Sequence, residues 1–168
     1  MAEYWEVLDA EGNKTGRLHA RGRPMAKGDY HLTVCVWIVN AKGQFLLSKR
    51  TANKSCPNMW ECTGGSAVAG DDSLTTALKE VREELGLVLK PENGVLLKRL
   101  CVGPDVYREG GEWVDIWLFR QEAELASLVF EPEETCAAMW ASKEEIDRMV
   151  EEGSFATWNL FSSVGELF

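Results

Sequence analysis

A helical segment that carries three glutamates beside its apolar stripe constrains the fold of this chain more than any other feature. The helix is predicted at Ser73–Leu85, with a capping cluster that begins at Asp71 and a stop at Gly86. The glutamates are Glu80, Glu83 and Glu84, and on a wheel of about 100° per residue they span about 100°. The adjoining apolar stripe consists of Ala77, Leu78, Val81 and Leu85. One face of the helix therefore packs on a core, and the carboxylates lie at the edge of that face.

These three carboxylates destabilise the helix unless something binds them. Like charges four residues apart, such as Glu80 and Glu84, cost about 0.2–0.5 kcal/mol. The helix dipole disfavours Glu83 and Glu84 in the last turn by about 0.3–1 kcal/mol each. Carboxylate oxygens are the ligands that Mg²⁺ and Mn²⁺ prefer, so a divalent cation would reverse both penalties. The alternative is a solvated acidic face in which Lys79 pairs with Glu83.

Apolar and β-branched runs on both sides of this helix predict a sheet. Strands are expected at 31–40, 44–49, 94–102, 112–120 and 136–141, after an N-terminal hairpin formed by 4–9 and 16–20. A second helix begins at Ser142, which forms a capping box with Glu145, and it ends before Gly153. A short helix is also expected near 159–166. Strands interspersed with helices predict a mixed α/β sandwich.

Length and charge exclude several classes of function. The chain has 168 residues, and its 27 acidic residues exceed its 18 Lys and Arg to give a net charge of -9. The length favours one domain, and the charge disfavours a nucleic acid polymer or an anionic membrane as partner. Neither a signal peptide nor an apolar run of about 20 residues is found. Five cysteines without a C-x-x-C pair indicate reduced thiols and a cytoplasmic location.

The residues around the first helix resemble the Nudix box, the signature of the Nudix hydrolase superfamily. The box reads Gly-x5-Glu-x7-Arg-Glu-U-x-Glu-Glu-x-Gly-U, where U is bulky and apolar, and here it spans residues 65–87. The matching residues are Gly65, Glu80, Val81, Glu83, Glu84, Gly86 and Leu87. Asp71 and Lys79 replace the usual Glu and Arg. The resemblance implies the Nudix α/β/α sandwich with a mixed sheet, as a single domain over 1–168 with an N-terminal hairpin extension at about 1–29.

The resemblance also implies an activity and a cofactor. It implies hydrolysis of a diphosphate bond in a nucleoside-diphosphate-linked or similar small molecule, with Mg²⁺ or Mn²⁺ held by Glu80, Glu83 and Glu84. The residues expected to contact substrate are Gly64, Gly65, Arg50 and Trp60. Lys79 is expected to orient Glu80 or Glu83, though without the bidentate fork of an arginine. A homodimer is one expected assembly of the chain.

Two further roles have several candidates each. The general base is either Glu80 or an acid from a distant loop, and the distant candidates are Glu112, Asp115, Glu133 and Glu134. The tryptophans that could stack on a base or a prenyl group are Trp60, Trp113, Trp117 and Trp158, with core filling as the alternative.

Segments outside the box are similar to the branch related to isopentenyl diphosphate isomerase, and this similarity defines a rival function. The isomerase uses a cysteine just before the box helix and three metal-binding histidines. Here the cysteine position falls on Gly64 or Gly65, Cys62 is out of register, and the chain contains only His19 and His31. Hydrolysis is therefore favoured over isomerisation. A non-catalytic module that binds diphosphate ligands is the third alternative, and it has no need of the three glutamates.

Overall fold

The secondary structure follows the predicted order and adds two short strands. The computed structural model describes residues 3–103 and 110–156 of the chain. Its elements are β1 (Tyr4–Leu8), β2 (Lys14–Ala20), β3 (Tyr30–Val39), β4 (Phe45–Arg50), β5 (Trp60–Glu61), β6 (Thr63–Ser66), α1 (Ser73–Leu85), β7 (Gly94–Val102), β8 (Gly111–Arg120), β9 (Thr135–Ala141) and α2 (Lys143–Glu151). The sequence pattern does not predict β5 and β6. The helix expected near 159–166 and the candidate Trp158 lie outside the described residues.

Both helices begin and end where their capping residues indicate. Asp72 caps α1 by accepting a hydrogen bond from the backbone N–H of Thr75 at 2.7 Å, and Gly86 ends the helix with a φ of 65°. Ser142 and Glu145 form the predicted reciprocal capping box at the start of α2. Within the described part of the chain, neither helix is long and apolar enough to cross a membrane.

Strand β3 lies at the centre of a mixed sheet of nine strands among the described residues. It pairs in parallel with β8 over its full length, from Tyr30 opposite Gly111 to Val39 opposite Arg120. Its other partners, β1, β4 and β6, are antiparallel to it. The N-terminal hairpin of β1 and β2 joins the sheet through β1, and β7 joins through β8.

Alternate side chains of β3 enter two different cores. Val36 and Ile38 pack on the side of α1, in a cluster that includes Val81. Trp37 points to the opposite side and packs in a cluster that includes Ile146 of α2. This alternation is the period of two expected for a strand that is buried on both faces. The sheet therefore lies between two helical layers, which confirms the predicted α/β/α sandwich.

Candidate functional site

The three glutamates of α1 differ in their exposure to solvent. Glu84 is 8% exposed, Glu80 is half-buried and Glu83 is exposed. The helix thus presents a row of carboxylates that begins inside the protein and ends at its surface. Their burial follows from the position of the acidic row beside the apolar stripe, as the helical periodicity predicts.

Two consecutive glycines of β6 make room for this row. A β-carbon on Gly65 would clash with the carboxyl group of Glu80. A β-carbon on Gly64 would clash with the backbone carbonyl oxygen of Val34, across the antiparallel pairing of β3 and β6. The glycines therefore lie in a strand rather than in a loop, and they allow both a neighbouring strand and a carboxylate to approach closely.

Burial and mutual repulsion raise the pKa values of the two inner glutamates. Burial, and then the nearby charge of Glu83, raise the pKa of Glu80 to about 7. Burial, and then the charges of Glu80 and Glu61, raise the pKa of Glu84 to about 8. The Oε2 atom of Glu84 is buried and has no hydrogen-bond partner within the described residues. The site thus holds more carboxylate than the surrounding protein neutralises.

These donors suit a hard divalent cation. Oxygen atoms from several carboxylates are the preferred ligands of Mg²⁺ and Mn²⁺, and the unpartnered Oε2 of Glu84 lacks the hydrogen bond that a buried carboxyl needs. Across residues 3–103 and 110–156, no group of three His, Cys, Asp or Glu side chains is already arranged as a metal site.

A cavity of about 430 Å³ lies against β6, and none of Glu80, Glu83 and Glu84 is among the residues that line it. Gly64 and Gly65 form part of its wall, so the cavity adjoins the strand against which Glu80 packs. Other lining residues provide polar groups, namely Thr33, Arg50, Ser55, Glu61, Ser66 and Glu112. The volume falls in the usual range for small-molecule sites, which is roughly 300–1,000 Å³.

Arg50 lines this cavity, but its donors are engaged by the protein. Its Nη1 donates to both carboxylate oxygens of Glu61, at 2.9 and 2.8 Å. Its Nε and Nη2 donate to the backbone carbonyl and the hydroxyl of Ser55. Because Arg50 and Glu61 are both more than nine-tenths buried, they form an internal ion pair. Glu61, which lies in the short strand β5, is not among the residues predicted to form the site.

The other predicted substrate residue, Trp60, packs against the core cluster that contains Trp37. The ammonium group of Lys49 lies 5.5 Å from the centroid of its ring. Trp113 donates from its Nε1 to the backbone carbonyl of Asp9, and Trp117 donates to the hydroxyl of Ser73. These contacts favour the core-filling alternative for Trp113 and Trp117, while stacking by Trp60 stays a prediction.

The candidate general bases differ in their positions relative to the cavity and in their partners. Glu112 lines the cavity, and Glu80 lies against its wall. Asp115 is fully buried and accepts two hydrogen bonds from Arg99, so it stabilises the sheet instead. Glu133 is exposed. Glu134, the remaining candidate, forms an ion pair with a nearby lysine, Lys54.

Lys79 has a different partner from the ones that were expected. Its Nζ donates to Oδ2 of Asp71 at 2.6 Å, rather than to Glu80 or Glu83. Asp71 and Lys79 are the two residues that depart from the box pattern. These two residues thus contact each other, next to the turn that leads into α1.

Comparisons with known proteins identify the family and the fold. The NUDIX domain family model matches residues 29–160. An uncharacterized Nudix hydrolase of Listeria monocytogenes is 34% identical over 155 residues, which cover 91% of this chain and 88% of that protein. Isopentenyl-diphosphate Delta-isomerase of Escherichia coli is 30% identical over 97 residues, which cover 56% of this chain and 53% of the isomerase.

Solved structures share the fold at lower sequence identity. DR0079 from Deinococcus radiodurans superposes with a TM-score of 0.73 at 19% identity, over 92% of each chain. A bifunctional NMN adenylyltransferase/ADP ribose pyrophosphatase from Francisella tularensis, complexed with AMP and a Mn ion, gives a TM-score of 0.66 at 16% identity. That match covers 86% of this chain and 43% of the other.

Proposed function

The chain belongs to the Nudix hydrolase family, and from this premise we propose that it hydrolyses a diphosphate bond in a nucleoside-diphosphate-linked small molecule with the help of a divalent cation. The observation that carries the proposal is the buried carboxyl group of Glu84, whose Oε2 has no hydrogen-bond partner among the described residues. A buried carboxyl group without a hydrogen-bond partner costs free energy, so its presence calls for an explanation such as a bound ion.

Glu80, Glu83 and Glu84 would hold the cation, which is Mg²⁺ or Mn²⁺. When bound, the cation supplies positive charge that offsets the diphosphate oxygens and promotes ionisation of the attacking water. Such charge is needed because the chain itself carries a net charge of -9. The raised pKa values of Glu80 and Glu84 support this role, since burial and neighbouring carboxylates disfavour their ionised forms and a bound cation would offset that penalty.

Protein groups around the cavity would orient the substrate and accept the proton. We assign proton acceptance from the water to the Glu80 carboxylate, which lies against the cavity wall, with Glu112 as the alternative acceptor. The glycine pair of β6 lets substrate approach the backbone closely. Arg50 would act indirectly, by holding Glu61 in the cavity wall.

We favour a nucleoside-linked substrate over a prenyl diphosphate because polar residues line part of the cavity, beside the apolar Val34, Val102 and Val114. Its lining includes the hydroxyl groups of Thr33 and Ser66 and the carboxylate of Glu112. Sugar hydroxyls and base amino groups can hydrogen-bond to such groups, whereas a prenyl chain offers them neither a donor nor an acceptor. An ADP ribose pyrophosphatase among the structures of the same fold is consistent with this substrate class.

A substrate panel tests the proposal. The protein is incubated with ADP-ribose, UDP-glucose, NADH and isopentenyl diphosphate in Mg²⁺ or Mn²⁺, and the products are separated by chromatography. We expect metal-dependent cleavage of at least one nucleoside-linked diphosphate, and its loss in Glu83→Gln. Glu151→Gln removes an exposed carboxylate from α2 and serves as the matched control. Cleavage that survives both Glu83→Gln and chelation contradicts the assigned metal site.

The same panel tests the isomerase alternative. One observation favours it, since the buried Cys62 lines the cavity close to the carboxylates. However, burial, followed by the Cys35 thiol, raises the pKa of Cys62, so it is a protonated thiol. Isomerisation would appear as conversion of isopentenyl diphosphate without release of phosphate. We expect no such conversion.

A further inference from the structure

Two cysteines that have no part in the proposed hydrolysis lie close together in the wall of the cavity. Cys35 belongs to β3 and Cys62 directly precedes β6, and both line the cavity of about 430 Å³. In the antiparallel pairing of β3 with β6, Cys35 is opposite Gly64, which is two residues after Cys62. Both side chains pack in the same core cluster, so the two thiols lie on one face of the sheet at diagonal positions.

These two thiols are shielded from bulk water. Cys35 is 6% exposed and Cys62 is 1% exposed. Burial, followed by a hydrogen bond with the Cys35 thiol, raises the pKa of Cys62 well above its ordinary value. Cys62 is therefore a neutral thiol at neutral pH, and it reacts slowly with oxidants that attack the thiolate. It offers a sulfur ligand beside Cys35 rather than an activated nucleophile.

The backbone favours a bridge through a third atom over a direct bond between the two sulfurs. Diagonal residues of an antiparallel pair have Cα atoms roughly 7–8 Å apart, whereas a disulfide needs a Cα separation of roughly 4.4–6.8 Å. One atom bonded to both sulfurs lengthens the connection and so relieves this mismatch. The pair is therefore better suited to chelate a ligand than to form a disulfide.

Trivalent arsenic with one organic substituent has the two open valences that such a pair can fill. Soft centres of this kind prefer sulfur to oxygen or nitrogen ligands. In the reaction of phenylarsine oxide with two thiols, each sulfur forms a bond to arsenic, the bond between arsenic and oxygen breaks, and both thiol protons leave on that oxygen as water. Arsenic stays trivalent, so no oxidant is needed. Val102 and Val114 line the same cavity and provide an apolar surface for the phenyl group.

We propose that Cys35 and Cys62 form a dithiol site for thiophilic trivalent arsenic compounds, and that an occupant of this site blocks the cavity. Two thiols held side by side act as one chelating ligand, because the first bond to arsenic makes the second bond intramolecular. The binding part of this inference needs only the two sulfurs and the space beside them. The blocking part rests on the proposed function, because it needs a substrate in the same cavity.

Titration with phenylarsine oxide in excess 2-mercaptoethanol tests the binding part. The monothiol competes with single cysteines but only weakly with a chelating pair, and native mass spectrometry counts the bound arsenic. Cys35→Ala and Cys62→Ala each leave one sulfur, while the controls Cys101→Ala and Cys136→Ala each remove an exposed thiol. We expect wild type and both controls to bind one phenylarsine oxide, and each cavity variant to bind it about 100-fold more weakly.

A measurement on wild type alone covers the case in which a cavity variant does not fold. The free protein and the arsenic complex are treated with N-ethylmaleimide in urea, and the modified cysteines are identified by peptide mass spectrometry. We expect Cys35 and Cys62 to be modified in the free protein and protected in the complex. Absence of binding to wild type, full binding by a folded cavity variant, an equal loss in either control, or modification of Cys35 or Cys62 in the complex would each overturn the site.

Hydrolysis tests the blocking part. The substrate is a nucleoside-linked diphosphate that wild type cleaves in the panel, and each protein is compared with its own rate before phenylarsine oxide is added. We expect cleavage by wild type to stop at full occupancy and cleavage by Cys62→Ala to continue at the same concentration. Unchanged cleavage by fully occupied wild type would overturn the blocking part, while the proposed function would stand. If wild type cleaves no diphosphate, the proposed function and the blocking part both fail, whereas the dithiol site is decided by the binding result.

Discussion

Replacement of Glu84 by glutamine should stabilise the metal-free protein at alkaline pH. The carboxyl group is buried near Glu80 and Glu61, and these surroundings raise its pKa to about 8 from an ordinary value of 4.5. Below pH 4.5 the group is protonated in both the folded and the unfolded chain. Between 4.5 and 8 only the unfolded chain releases the proton, so the free energy of unfolding falls as pH rises. Glutamine has the same shape and does not titrate.

The size of the effect follows from these two values. Between about pH 5 and about pH 8, each pH unit costs the wild type about 1.4 kcal/mol, and the total is about 4 kcal/mol. Above pH 8 the group is ionised in both states, and the cost stays constant. The stability advantage of Glu84→Gln should therefore grow by about 4 kcal/mol between about pH 5 and about pH 9. The comparison with wild type cancels all groups that titrate equally in both proteins.

Urea unfolding in EDTA at several pH values measures this difference. Glu151→Gln, on the exposed face of α2, is the control and should show a difference that does not change with pH. Addition of Mg²⁺ at high pH should stabilise wild type but not Glu84→Gln, because only wild type offers the carboxylate. A difference that stays within about 1 kcal/mol from pH 5 to pH 9 would refute the claim that burial raises the pKa of Glu84.

Three other substitutions test separate parts of the site. Gly65→Ala places a β-carbon where the Glu80 carboxyl lies, so Mn²⁺ affinity measured by calorimetry should fall about tenfold or more, whereas Gly103→Ala, which meets open space, should leave it unchanged. Lys79→Arg should alter the turnover number less than about twofold, because Lys79 hydrogen-bonds Asp71 and none of the glutamates that we propose bind the metal. Arg50→Met leaves a buried carboxylate without its partner, so the free energy of unfolding in urea should fall by about 3–5 kcal/mol. An unchanged Mn²⁺ affinity in Gly65→Ala would contradict the first expectation. A tenfold loss of turnover in Lys79→Arg would contradict the second, and an unchanged urea midpoint in Arg50→Met would contradict the third.

Local signals predicted the elements that position the glutamates. Helix α1 begins and ends at the predicted residues because its cap at Asp72, its apolar period and its stop at Gly86 are all within one short segment. The burial of Glu84 follows from the same period. The main strands were predicted within one or two residues, because their apolar runs are long enough to be distinctive.

Contacts between distant segments could not be predicted in this way. The ion pair of Arg50 and Glu61 depends on the pairing of β4 with β5, a strand of two residues that has no pattern of its own. The ion pair of Lys54 and Glu134 depends on how two loops that are distant in sequence meet. A glutamate between two apolar residues, at Trp60-Glu61-Cys62, was the available signal for a buried carboxylate, since such a position is costly unless the charge is paired.

The two replacements in the box pattern, Asp71 and Lys79, are better understood as one coupled change than as two independent ones. Considered separately, Asp71 has a shorter side chain than the usual Glu, and Lys79 lacks the bidentate guanidinium of the usual Arg. In the structure their side chains bond each other, so opposite charges are retained on the same two positions. The side chain of Lys79 is 53% exposed, and its ion pair closes the turn before α1. Because neither side chain hydrogen-bonds Glu80, Glu83 or Glu84 in the described part of the chain, the replacement keeps both charges at the entry into α1 and does not engage the carboxylates that we propose bind the cation.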